Sequence, residues 1–156
     1  MKLARIGNPS KEKPIILDKD NNYRDVSSVI KDFNSDHLNF ETLEKLSKIK
    51  PEDLPILEKN QRIGACVNKP SKFIGIGLNF KDHAIEQNMP IPKEPIIFSK
   101  FTNSVSGPND DIVIPKNSNH TDWEVELGFV IGKKCSYVSE KDALSHVLGF
   151  FLVNDV

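Results

Sequence analysis

Two glutamates lie two residues apart in a segment that alternates acidic or small residues with large apolar ones. Residues 122–129 read DWEVELGF. A strand here directs Glu124 and Glu126 to one face, about 6.5 to 7 Å apart along the backbone. Two ionised carboxylates that face a semi-enclosed space repel each other unless a proton or a cation lies between them. The spacing predicts a divalent cation at this face and a core-packed apolar face opposite.

A third carboxylate, Asp155, follows the most apolar segment of the chain, GFFLV at 149–153. An unpaired carboxylate at the end of a buried strand is costly. We therefore group Asp155 with Glu124 and Glu126 as a candidate metal site, with a solvated acidic surface as the alternative. A site with only oxygen donors favours Mg²⁺ or Mn²⁺, with Ca²⁺ as a further candidate. Zinc sites, in contrast, normally include His or Cys ligands.

A second candidate pair is His83 with Glu86, three residues apart in a short predicted helix and therefore on one face of it. A carboxylate beside an imidazole fixes its tautomer and makes the ring a better proton acceptor. A surface ion pair, worth under about 1 kcal/mol, is the alternative. The helix lies between a glycine turn and a proline-rich loop at 89–95, a setting that favours a mobile lid.

A lysine and a pair of glycines complete the set of candidate residues. Lys100 follows a predicted strand and could meet an anionic substrate group, with a solvated lysine as the alternative. Gly75 and Gly77 form only a G-x-G, without the third glycine or the ribose-binding acid of a dinucleotide site. The sequence therefore argues against a nucleotide.

Composition narrows the class of protein. At 156 residues the chain is long enough for one core, or for a small domain plus part of a larger one. The net charge of -1, with Lys and Arg spread along the chain, argues against nucleic acid as a partner. The N-terminus lacks the apolar run of a signal peptide and no segment has the roughly 20 apolar residues of a membrane span, so we predict no membrane association and a cytoplasmic location. Cys66 and Cys135 are predicted to be buried free thiols, with a disulfide or a zinc site as the alternatives.

The pattern of residues divides the chain into two predicted regions. Residues 1–66 read as a small α+β module that serves as scaffold. Its predicted elements are strands at 3–6, 14–17 and 23–26, a turn at 18–22, and a helix at 42–50 that begins at Asn39 or Thr42.

Residues 67–156 read as the first part of a β-rich domain. The predicted elements are a buried strand at 73–77, a helix at 80–87 capped by Asn79, strands at 96–98, 111–114, 123–131 and 147–153, and a helix at 140–145. The last strand is nearly all apolar and needs neighbours on both faces. Because the sequence stops three residues later, we expect either a fragment or a strand that another chain covers.

Four segments, in this order, resemble the fumarylacetoacetate hydrolase family. They are GIGLNFKDHAIE at 75–86, PIIFSK at 95–100, DWEVEL at 122–127 and VND at 153–155. The region before them is similar to that of bacterial members of the ureidoglycolate lyase or diketo-deoxy-sugar-acid hydrolase type. The resemblance implies a β-rich α+β fold in which the small N-terminal module precedes a mixed β-sandwich or β-roll, truncated here at the C-terminus.

Carried over residue by residue, the resemblance implies that Glu124, Glu126 and Asp155 hold Mg²⁺ or Mn²⁺, and that His83 and Glu86 activate water. Lys100 falls where the family has a lysine near the active site. Phe80 stands where the family often has Tyr, which removes one hydroxyl. The family's catalytic domain also continues beyond the acidic Asp, and family members usually form homodimers through it.

The implied reaction is hydrolytic cleavage of a carbon-carbon bond beside a carbonyl in a small anionic oxo acid, such as an acylpyruvate or a diketo-deoxy sugar acid. Relatives with the same site decarboxylate, isomerise or eliminate urea, so a ureidoglycolate lyase or an oxo-acid decarboxylase or isomerase is the alternative. A catalytically inactive fragment is the alternative from a different class.

Overall fold

The first 64 residues of the chain build one antiparallel sheet. The computed structural model describes all residues from Met1 to Val156. Strands β1 (Lys2–Ile6), β2 (Lys13–Leu17) and β3 (Tyr23–Asp25) pair in chain order, in agreement with the predicted strands at 3–6, 14–17 and 23–26. Two short strands, β4 (Ile56–Leu57) and β5 (Ile63–Gly64), complete the order β4-β3-β2-β1-β5. The sequence gives no signal for these two because a pair of residues is too short to show a period.

One helix packs beside this sheet. Helix α1 (Phe40–Ser47) begins at Asn39, whose side-chain oxygen accepts a hydrogen bond from the Thr42 amide at 2.9 Å. Of the two predicted caps Asn39 is therefore correct, and the helix starts and ends earlier than the predicted range of 42–50. Leu46 joins the main apolar core, whose buried members are Ile16, Val26, Ile30, Phe33 and Leu46.

The segment that follows holds a two-stranded antiparallel sheet. Strand β6 (Phe73–Gly77) pairs with β7 (Ile96–Lys100), and helix α2 (Lys81–Glu86) lies between them in the chain. The prediction that β6 is buried is wrong, because Ile74 is 55% exposed. The predicted cap at Asn79 is also wrong: the N-cap of α2 is Phe80, one residue later, and its side chain makes no capping hydrogen bond.

The C-terminal part holds a second two-stranded antiparallel sheet. Strand β8 (Glu124–Ile131) pairs with β9 (Val147–Asp155), and helix α3 (Glu140–Ala143) with a 3₁₀ turn (Leu144–His146) connects them. The predicted strand at 111–114 does not form. No neighbouring strand offers a hydrogen-bonding partner there, and Val113 is 87% exposed.

Backbone contacts group the chain into two compact units. One comprises Met1–Asn68 with Ser106–Val156, and the other comprises Lys69–Val105. This grouping differs from the predicted domains, 1–66 and 67–156. The predicted domain boundary stays a prediction. Both units are rich in β-strands and hold few helices, in agreement with the predicted class. None of the helices has both the length and the apolar character that a membrane crossing requires.

Candidate functional site

The register of β8 and β9 determines where the three candidate carboxylates lie. Glu124 is directly opposite Asp155, and Glu126 is opposite Val153. Directly opposite residues of an antiparallel pair project to the same face, as do residues two apart on one strand. The backbone therefore brings Glu124, Glu126 and Asp155 to one face at one end of the hairpin. The sequence alone gave the spacing of the two glutamates and grouped Asp155 with them, but it did not give the register that places Asp155 opposite Glu124.

The side chains of this acidic face are not drawn together around one point. Glu124 is exposed, whereas Glu126 and Asp155 are half-buried. No three His, Cys, Asp or Glu side chains in the structure lie close enough together to hold a metal ion. The donors themselves suit a hard cation, because all three are carboxylates on adjacent strands. Metal binding at these residues stays a prediction.

The opposite face of the hairpin is apolar and exposed. We expected Trp123, Val125, Leu127 and Phe129 to pack in a core, but their exposed fractions range from 55% for Phe129 to 71% for Trp123. Leu152 of β9, which lies directly opposite Leu127, is 80% exposed. The expectation was wrong for this chain because no other element of it covers this face. The acidic face is the more buried of the two.

Two residues that the sequence did not single out shape the acidic end. The side-chain oxygen of Asn154 accepts a hydrogen bond from the Glu124 amide at 3.1 Å, which holds the start of β8 against the end of β9. Gly128 lies opposite Phe151, and a Cβ at Gly128 would come within 2.5 Å of the Phe151 ring. The glycine lets this ring cross β8 beside the carboxylates. Only the pairing register reveals either role.

The second candidate pair lies on α2. His83 is half-buried and Glu86 is exposed, while Ala84 between them is fully buried. The structure records no hydrogen bond and no ion pair between the imidazole and the carboxylate. Both residues lie on the same short helix, as predicted, but their side chains do not form a hydrogen bond or an ion pair with each other. Their role as a catalytic pair stays a prediction.

Lys100 is the last residue of β7. It lies opposite Phe73 and is half-buried. The register puts it on the same face of this sheet as Phe98 and Gly75, where the Phe98 ring occupies the space that a Cβ of Gly75 would need, at 2.3 Å. The lysine thus stands at the end of an aromatic face. Contact with a substrate stays a prediction.

Comparison with known proteins agrees with this architecture. The family model for the fumarylacetoacetate hydrolase C-terminal domain matches residues 72–156, which is more than half of the chain. A protein of Burkholderia multivorans and one of Burkholderia ambifaria, both provisionally described as hydrolases, are each 53% identical to it over 156 residues. The chain spans 55% of the length of each of these relatives.

Solved structures show the same fold. A fumarylacetoacetate hydrolase from Exiguobacterium antarcticum superposes with a TM-score of 0.75 at 25% identity, over 99% of this chain and 55% of that one. A Mycobacterium smegmatis protein provisionally described as HpcE superposes with a TM-score of 0.78 at 26% identity, over 97% of this chain and 54% of that one. The matched residues 72–156 include both the acidic hairpin and α2. The chain belongs to the fumarylacetoacetate hydrolase family.

Proposed function

We propose that this chain carries the metal-binding and proton-transfer residues of a hydrolase that cleaves a carbon-carbon bond beside a carbonyl in a small anionic oxo acid. The observation that supports it most is the register of β8 and β9, with Glu124 opposite Asp155 and Glu126 two residues along on the same face. Members of the family generally use divalent metals. Hydrolase-type relatives support the class of reaction.

Glu124, Glu126 and Asp155 would hold the ion in this proposal. Three carboxylates supply only oxygen donors, which match the preference of Mg²⁺ and Mn²⁺. The carboxylates would have to change rotamer to converge, and because Glu124 is exposed it has room to do so. When bound, the ion would polarise the carbonyl that is attacked and stabilise negative charge on its oxygen.

The proposed reaction assigns a role to each remaining candidate. His83 accepts a proton from water, and Glu86 orients the imidazole. The water oxygen bonds to the carbonyl carbon, the adjacent carbon-carbon bond breaks, and its electron pair leaves with the departing oxo acid as an enolate. His83 then returns a proton to that carbon. Lys100 pairs with the substrate carboxylate, so the substrate class is an anionic oxo acid.

The metal proposal is tested first by thermal melts of the 156-residue chain in EDTA, then with Mg²⁺ or Mn²⁺, with and without oxalate. A ligand that binds only the folded state raises Tm, so we expect a rise with metal and a further rise with oxalate. Glu124→Gln and Asp155→Asn should each abolish both rises. Glu58→Gln, which removes the same charge from an exposed residue near the N-terminal sheet, should leave them intact. Equal rises in all variants would refute the site.

Turnover is tested with acetylpyruvate, whose hydrolysis yields acetate and pyruvate. His83→Ala should retain the metal-dependent rise in Tm and lose at least about 10²-fold in kcat, the usual size of a general-base contribution. Full activity in His83→Ala would show that this residue is not the base. Identification of the products separates hydrolysis from decarboxylation or isomerisation.

A further inference from the structure

The segment that carries His83 and Glu86 leaves one unit of the fold and returns to it. Residues 69–105 form a compact unit of their own, and Asn68 and Ser106 on either side belong to the unit that holds the N-terminal sheet. Neither flank is part of a regular element. The chain therefore leaves the unit of the N-terminal sheet, and re-enters it, through irregular backbone.

Asn68, where the chain leaves the unit of the N-terminal sheet (the exit), is held by two hydrogen bonds. Its amide donates to the carbonyl of Phe33 at 2.7 Å, and its side-chain nitrogen donates to Oδ2 of Asp32 at 2.6 Å. Asp32 accepts a second set of bonds from Arg5, with Nε donating to Oδ1 at 2.6 Å and Nη2 donating to Oδ2 at 3.1 Å. A bidentate pair of this kind holds both position and angle. The exit is thus attached to β1 through Arg5.

Just after the chain re-enters this unit at Ser106 (the return), Asp110 accepts hydrogen bonds from the backbone of Gly107 and from the side chain of Arg62. The Gly107 amide donates to Oδ2 of Asp110 at 2.6 Å, and Arg62 binds the same carboxylate through Nε and Nη2. These bonds lower the pKa of Asp110, Arg62 being the main cause. A Cβ at Gly107 would lie 2.3 Å from the Ile63 carbonyl oxygen, so the returning chain lies directly against β5.

One residue links the two ends. Glu12 accepts from Nη2 of Arg5 at 3.2 Å through Oε2 and from Nη1 of Arg62 at 2.9 Å through Oε1. Arg5 and the Glu12 side chain are only 3% and 8% exposed, so solvent weakens these contacts little. An unbroken series of hydrogen-bonded charges therefore runs from the exit to the return. We name this series the clasp; its members are Asp32, Arg5, Glu12, Arg62 and Asp110.

We propose that the clasp fixes both ends of the 69–105 segment as one connected unit, so that loss of a contact at one end loosens the backbone at the other. The five residues act through the backbone that they hold at Asn68 and Gly107. The attachment does not depend on the proposed function.

Amide hydrogen exchange on the full chain tests the connection, because each end has a reporter amide. Asp110→Asn removes the charge that Arg62 binds at the return, and we expect the Asn68 amide at the exit to exchange about tenfold faster. Asp32→Asn is the reciprocal change, and it should speed exchange of the Gly107 amide by a similar factor. Arg62→Lys, which keeps the charge but cannot bind bidentately, should give a smaller effect at both amides.

The matched control is Lys13→Gln. Lys13 pairs with Asp25 at 3.1 Å on the same sheet but lies outside the clasp, with 56% of its side chain exposed. This variant should leave exchange at Asn68 and Gly107 unchanged. If Asp110→Asn loosens only Gly107 and Asp32→Asn loosens only Asn68, the ends are held separately and the clasp is refuted. Should Asp32→Asn fail to fold, Arg62→Lys and Asp110→Asn still decide the question.

Discussion

A single buried carboxylate shows how completely the N-terminal region satisfies its polar groups. Asp18 is 6% exposed and lies in the turn between β2 and β3. Its oxygens accept from the amides of Asp20 and Asn22, from the Asn22 side chain, and from Nε of Arg24 at 2.8 Å. Burial by itself would raise the pKa of Asp18, but these donors outweigh it and hold the pKa well below its usual range.

The pH dependence of stability follows from that direction. A carboxyl with a lowered pKa in the folded state contributes stability above its unfolded pKa of about 4 and loses it as the pH falls through the folded value. Asp18→Asn should therefore lower Tm at pH 7 by several degrees, and its Tm should change less than that of the wild type between pH 5 and pH 2. Thermal melts across this range measure the effect. Parallel curves for the two proteins would contradict it.

Among the regular elements, α1 is the one whose start the sequence identifies most directly. Asn39 accepts from the Thr42 amide, Glu41 lies in the first turn and Lys45 in the last, so cap and charges agree with the helix dipole. Leu46 then joins the core as the buried residue of the helix. The helix is thus attached at one end by a cap and at the other by packing.

The cap predicts a graded pair of variants. Asn39→Ala should reduce the free energy of unfolding by about 1 kcal/mol, because one amide at the start of α1 loses its partner. Asn39→Ser should retain most of the stability, since a serine oxygen can accept the same bond. Urea denaturation of the three proteins measures both values. Equal losses in the two variants would show that the side-chain bond contributes nothing.

At the scale of the whole molecule, burial is distributed unequally along the chain. The fully buried apolar residues lie in the first 46 residues, except for Ala84. The apolar face of the β8–β9 hairpin is exposed instead, and its members are Trp123, Val125, Leu127, Phe129, Ile131, Phe150 and Leu152. A contiguous apolar face of this kind marks an interaction surface. The homodimer that the resemblance implies would use such a surface, and it stays a prediction.

Self-association tests this prediction. We expect the chain to associate increasingly as its concentration rises in sedimentation velocity, because burial of this face removes apolar area from water. Leu152→Lys adds a charge to the middle of the face and should shift the distribution towards the monomer. Lys133→Gln, a change at an exposed residue beyond the end of β8, serves as control. A wild-type chain that remains monomeric throughout would show that copies of it do not pair through this face.

The sequence determined the elements that depend on neighbouring residues. Short apolar runs and the alternation at 122–129 predict β1, β2, β8 and β9, and the Asn39 cap predicts the start of α1, because each signal lies within a few residues. The same reasoning gives the acidic spacing of Glu124 and Glu126 and the family segments that the comparisons support. The predicted strand at 111–114 failed because a strand also needs a neighbour, which its own residues do not encode.

The tertiary structure alone decided which residues meet. The pairing of Glu124 with Asp155 joins residues far apart in sequence, and only the register of β8 and β9 fixes it. The clasp is equally non-local, since Arg62 and Asp110 come together only when the chain returns to the N-terminal sheet. The alternation of residues also could not predict that the apolar face of the hairpin is exposed. A period shows which side chains share a face, but what covers that face depends on elements elsewhere in the fold.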